Sequence, residues 1–95
     1  METIPEFEYD PAKGRANLEK HGIDFETAQG LWSDEQRRIG PTVSPDETRW
    51  MLVAMLKGKL WSAVFTCRDG RVRLISVRRS RPKEAANYGR QEDQR

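Results

Sequence analysis

The stretch Arg71-Val-Arg-Leu-Ile-Ser-Val-Arg-Arg-Ser-Arg81 alternates aliphatic side chains with arginines and closes in a basic cluster. Alternation with a period of two is the signature of a β-strand. Val72, Leu74, Ile75 and Val77 suit a central strand, whereas Arg71, Arg73, Arg78, Arg79 and Arg81 require water, carboxylates or phosphates. Unbroken alternation puts Arg73 and Arg79 on the side of Ile75 and Val77, and Arg78 on the side of Val72, Leu74 and Ser76. The arginines therefore divide between two faces. A guanidinium is permanently charged and fork-shaped, which suits it to bidentate anion recognition.

Working outward, Asp69-Gly70 precedes this strand and Lys57-Gly58 lies one strand earlier, both where hairpin turns are needed. Arg49 to Leu56 and Leu60 to Thr66 are apolar on both faces, as in strands central to a sheet. Together these predict an antiparallel meander of three strands. Gly40 and Pro41 interrupt the stretch from Arg38 to Val43, leaving at best a short irregular strand, and Ser44-Pro-Asp-Glu47 is turn chemistry. Phe7-Glu-Tyr9 reads as a short edge strand. Asp10-Pro11 is an N-cap followed by a proline at the first helical position, which opens a helix to about His21 and Gly22. Asp24 caps a second helix with Phe25, Ala28 and Trp32 toward the core, ending between Trp32 and Asp34. Pro82 and Glu84 open a third, carrying Ala85, Ala86 and Tyr88 and closed by Gly89. The expected fold is α+β: an antiparallel sheet with two N-terminal helices and one C-terminal helix, all packed on one face.

At 95 residues the chain is read as one domain over residues 1–95, with 91–95 as a frayed tail. Its net charge of +2 conceals an acidic start (Glu2, Glu6, Glu8, Asp10) and a basic block from Arg68 to Lys83. Such asymmetry points to an anionic partner. The single cysteine, Cys67, rules out an internal disulfide framework, and one histidine beside it makes a Cys/His zinc site a poor reading, so no metal or cofactor is expected. No apolar run approaches the ~20 residues that span a bilayer. A cytoplasmic protein is the expectation.

Phe7-Glu-Tyr-Asp-Pro-Ala-Lys13, Asn17, Lys20-His-Gly-Ile-Asp-Phe25, Ala28, the Gly58 hairpin, and Arg73-Leu-Ile-Ser-Val-Arg-Arg-Ser-Arg81 with Glu84 and Tyr88 resemble the BrnT family of bacterial type II toxins. The resemblance reaches Tyr88. It implies a RelE-like α+β fold, a metal-independent ribonuclease that arrests translation, and neutralisation by a BrnA-type antitoxin in a hetero-oligomer that reaches operator DNA only through the antitoxin. Cys67, Leu74 and Ser80 depart from residues frequent in the family. None of these changes removes a charged group.

Metal-free RNA cleavage needs a base for the ribose 2′-OH, an acid for the leaving 5′-oxygen, and donors for the charged phosphorane. With only His21 in the chain, a histidine pair is impossible. The candidate catalytic set is His21, Glu47, Arg68, Arg78 and Arg79, and the candidate RNA-binding set is Lys20, Arg49, Arg71, Arg73 and Arg81. Each has a plainer reading. His21 suits a helix C-terminus, where the dipole favours a cation; Glu47 suits an ion pair with Arg49, or orients Arg68 or Arg78; and single arginines suit pairing with Glu47, Asp69 or Glu84. Local acids look too few to neutralise the whole block. Trp32, Trp50 and Trp61 suit the core, Cys67 packing on the sheet, and Tyr88 packing on a helix face. A nucleic-acid-binding or antitoxin-binding protein without catalysis, such as a degenerate toxin, is the alternative.

Overall fold

A computed structural model describes residues 5–45 and 47–88. Gly89 and the frayed tail expected at 91–95 lie outside the described residues, but the last helix, expected to run to Gly89, already ends at Ala85, with residues 86–88 in a turn. The elements are β1 (Glu6–Glu8), α1 (Pro11–His21), α2 (Phe25–Ala28) running into a 3₁₀ turn (Gln29–Ser33), β2 (Arg38–Thr42), β3 (Arg49–Leu56), β4 (Lys59–Arg68), β5 (Arg71–Arg79) and α3 (Pro82–Ala85). The sheet order is β1-β5-β4-β3-β2. Among the described residues no helix is long and apolar enough to cross a membrane.

Local chemistry sets the element ends. Asp10 accepts a hydrogen bond from the Ala12 N–H at 2.9 Å, Pro11 opens α1, and Gly22 closes it at φ +84° with its N–H bonded to the Leu18 carbonyl. Asp24 caps α2 through the Thr27 N–H at 2.8 Å. Both hairpin turns carry positive φ at their two central residues, Lys57-Gly58 and Asp69-Gly70. That conformation matches the twist of the strands it joins.

The architecture is α+β, but several features differ from expectation. The sheet is mixed, because β1 runs parallel to β5, pairing Glu6 with Arg71, Phe7 with Val72 and Glu8 with Arg73. The stretch from Arg38 to Thr42 is a regular strand paired with β3 along its length. It tolerates Pro41 because it is an edge strand, where a missing N–H costs no ladder bond. The second helix tightens into a 3₁₀ turn after Ala28, which still buries Leu31 and Trp32.

The core fills one face. Ile23, Phe25, Ala28, Leu31 and Trp32 pack against Leu52, Ala54, Trp61, Ala63, Phe65, Val72, Leu74 and Val77. Burying each of the larger aliphatic and aromatic side chains contributes about 1.5–3 kcal/mol. Edge-to-face contacts tie β1 and β4 to the helical layer, with Phe7 to Trp32 at 5.0 Å and Trp32 to Phe65 at 5.2 Å. Cys67, near the β4–β5 turn, is exposed rather than packed.

A register shift separates Val64 from Phe65. Val64 opposes Ser76 and Phe65 opposes Leu74, so Ile75 has no partner on β4 and β5 bulges there. Both Leu74 and Val77 consequently face the core. The outer edge of β5, covered by β1 only at residues 71–73, is filled at Val77 by the side chain of Asn17. Its Oδ1 accepts the Val77 N–H at 3.1 Å, and its Nδ2 donates to the Val77 and Ile23 carbonyls at 2.8 Å each.

The C-terminal helix was expected beside the others, yet it lies across the opposite face. The Glu84 carboxylate accepts from Ser62 Oγ at 2.7 Å and from both terminal nitrogens of Arg78 at 2.9 and 2.8 Å. Ser62 and Arg78 are register partners pointing away from the core.

Asn17→Ala leaves buried backbone groups at Val77 and Ile23 without partners and is expected to lower stability by about 2–4 kcal/mol. Urea denaturation measures this directly, and a loss within 0.5 kcal/mol, on the order of an ordinary surface substitution, would show that the amide is dispensable.

Candidate active site

The face opposite the core is ordered in rows, since residues paired across strands point the same way. Arg38, Val53, Ser62 and Arg78 form one row; Gly40, Met51, Val64 and Ser76 form the next. Beyond them Thr66, Arg73 and Glu8 are partners, Arg49 pairs with Thr42, and Arg68 with Arg71 and Glu6 closes the series. The bulge at Ile75 is what brings Arg73 and Arg78 to one side. Unbroken alternation assigns them to opposite faces; the structure puts them on one.

Arg79 goes the other way. It faces the core side, with its guanidinium 5.7 Å from the centre of the Trp61 ring and its Nε donating to the Leu60 carbonyl at 3.2 Å. Arg81 is the N-cap of α3 and gives its backbone N–H to Glu84 at 2.9 Å. Lys20 and His21 occupy the last turn of α1, on the helix-covered side of the sheet. The structure thus gathers Arg49, Arg68, Arg71, Arg73, Arg78 and Glu47, and leaves His21, Lys20 and Arg79 on the other side.

Each gathered arginine has a carboxylate. Arg71 Nε lies 3.2 Å from Glu6, Arg73 lies 3.6 Å from Glu8, and Glu47 sits between Arg49 Nε at 3.0 Å and Arg68 at 4.0 Å. The acidic start of the chain is therefore a tertiary partner of the basic block, and the expectation that local acids are too few does not hold for these arginines. The pairs are unequal. Arg68 and Arg71 are more than half exposed, whereas the side chains of Arg78 and Glu84 retain 20% and 18% exposure. Exposed pairs are worth at most about 1 kcal/mol and exchange readily for another anion. The fork of Arg78 is held from both ends and acts as a structural anchor for α3.

Arg78 holds the Glu84 carboxyl far below its ordinary range, at about 2, with the Arg81 N–H and the Ser62 hydroxyl adding to the effect against burial. The same bond raises Arg78. Asp34, at the end of the 3₁₀ turn, accepts from the Gln36 N–H at 2.9 Å, the Met55 N–H at 2.8 Å and the Tyr88 hydroxyl. Tyr88, read from sequence as a packing residue, is pushed up to about 12 chiefly by that bond and stays protonated. Asp34 and Asn17 are the residues sequence reasoning gave no role. The only local sign of Asn17 was a polar side chain on the helix face that also carries Gly14. Asp34 offered none, because Tyr88 lies 54 residues away. Among the described residues no cluster of three or more His, Cys, Asp or Glu side chains is poised to hold a metal ion.

The depressed carboxyl makes stability depend on pH. A group lowered from 4.5 to about 2 on folding stabilises the native state above its unfolded value, by about 3 kcal/mol. This contribution fades as pH falls from 4.5 toward 2. Glu84→Gln is expected to be less stable than the parent at neutral pH and to lose less on acidification across that window. Denaturant midpoints measured against pH would show parallel curves if Glu84 were not the titrating group.

The arrangement is a sheet face of guanidinium donors, two of which share the Glu47 carboxylate, suited to gripping phosphate and accepting a proton beside it. Comparison with curated proteins finds no match. The profile of the family described as ribonuclease toxin, BrnT, of type II toxin-antitoxin system matches residues 9–84, which takes in α1, the Asn17 anchor, the hairpins, the arginine rows and Glu84. With most of its length matched, this chain belongs to the BrnT family of ribonuclease toxins.

Proposed function

We propose that the protein is a metal-independent endoribonuclease whose catalytic face is the arginine-bearing side of the sheet. The observation that carries this reading is the gathering of Arg49, Arg68, Arg71 and Arg73 on one face of the sheet, with Glu47 between Arg49 and Arg68. A ribose 2′-OH gives its proton to Glu47 and its oxygen bonds to the adjacent phosphorus. The bond from phosphorus to the 5′-oxygen breaks, that oxygen takes a proton from a water molecule, and Glu47 returns its proton to the resulting hydroxide. The products are a 2′,3′-cyclic phosphate and a 5′-hydroxyl. The arginines hold the phosphate and stabilise the extra charge of the phosphorane, at a face where exposed glutamates yield to it. Cleavage of messenger RNA in the cytoplasm would arrest translation.

The partner is a BrnA-type antitoxin that covers this face and carries the DNA-reading element of the complex. Glutamates already on the arginines favour a second reading, RNA or antitoxin binding without catalysis. The two differ in one assay.

Purified protein incubated with RNA is expected to cleave it equally with and without EDTA, to leave cyclic-phosphate ends, and to be silenced by the antitoxin. Arg73→Ala should lower the rate by about a hundredfold or more. Glu47→Gln should cut the rate of cleavage sharply while leaving the fold intact, whereas His21→Ala, on the far side of the sheet, retains cleavage. RNA bound but left intact would establish the second reading instead.

A further inference from the structure

Between the arginine-bearing rows runs one without charge. Gly40, Met51, Val64 and Ser76 are register partners across β2, β3, β4 and β5. Arg38 and Arg78 stand one step to one side of it, and Arg49 and Arg73 one step to the other. Side chains two apart on a strand are separated by about 6.6 Å, so the cationic rows lie roughly 13 Å apart over a flat, uncharged floor. At the β2 end the floor deepens into a groove of about 370 Å³, lined by Arg38, Gly40, Met51, Val53, Glu84 and Asn87. A Cβ built on Gly40 meets nothing within 4 Å, so the space above it is open.

We propose that this groove seats a single RNA base, beside a phosphate gripped by Arg49 and Arg73, and that Gly40 and Asn87 determine which base is accepted. The inference rests on the ribonuclease reading and names the subsite that would make it selective. A base has an apolar face and a polar edge. The peptide surface at Gly40 and the thioether of Met51 offer a platform for the face, and the Asn87 carboxamide brings a donor and an acceptor to the edge. Arg49 and Arg73, one step along the sheet from the seat, match the phosphate next to such a base. The volume is at the low end of small-ligand clefts, whereas a docking helix is about 10–12 Å across. A single base fits where a helix does not.

The test fills the groove without disturbing the sheet. Valine is favoured in strands and finds room at position 40. Wild type, Gly40→Val, Gly40→Ala and Asn87→Ala are compared on an end-labelled RNA containing every dinucleotide step, with melting curves to verify folding. Wild type is expected to cut a subset of steps. Gly40→Val should lose roughly tenfold or more in kcat/KM, the scale of one lost base contact, with Gly40→Ala intermediate and carrying the test if the valine variant fails to fold. Asn87→Ala should cut with relaxed preference at one flanking position. Variants that match wild type in rate and cut sites overturn the proposal. If Gly40→Val cleaves normally but escapes the antitoxin, the groove belongs to a protein segment and the proposal falls. Absence of cleavage and of RNA binding in wild type would instead remove the ribonuclease reading, and the base seat with it.

Discussion

The Asn17 side chain bonded to the backbone of Val77 is the contact on which the rest of the molecule depends. A primary amide offers one acceptor and two donors, enough to meet both the N–H and the C=O of a strand edge while also holding the Ile23 carbonyl. It stands in for a neighbouring strand where β1 has ended. It also fastens α1 to the sheet just past the bulge at Ile75, so the helical layer and the out-of-register half of β5 are held by the same group. Without the bulge, Leu74 and Val77 would not both reach the core. Arg73 and Arg78 would then face opposite ways.

That geometry gives the open face its graded electrostatics. At one end Arg78 and Glu84, largely covered by α3, form a two-pronged pair whose role is to hold the helix down. The other pairs are longer and more exposed than that fork: Arg73 lies 3.6 Å from Glu8, Arg71 3.2 Å from Glu6 and Arg68 4.0 Å from Glu47. Solvent-screened pairs of this kind are weak. The face is therefore neutralised at rest yet open to an anion that offers better geometry, as a phosphate does to a guanidinium. Glu47 is shared by Arg49 and Arg68 on that face.

Much of the fold was legible in the chain because it is written in local chemistry. Asp10-Pro11 and Gly22 bound α1, Asp24 starts α2, Lys57-Gly58 and Asp69-Gly70 turn the hairpins, and Phe25, Ala28, Trp32 and the β3–β4 aliphatics mark the core. The irregular strand expected at Gly40-Pro41 is regular because an edge position removes the constraint that proline imposes. Less of the site could be read. The parity of β5 was misread, since a bulge depends on the partner strand, and the basic block looked unbalanced because Glu6 and Glu8 are more than 60 residues away from the arginines they meet.

By itself, then, the sequence determined where the helices start, where the hairpins turn, which side chains are apolar enough to be buried, and that arginines would project from a rigid strand. These outcomes follow from interactions within a few residues. Only the tertiary structure decided which arginines share a face, which carboxylates meet them, and that α3 crosses the open side of the sheet rather than joining the other helices. Those outcomes hang on register between strands distant in the chain, where a single extra residue turns every later side chain to the opposite face.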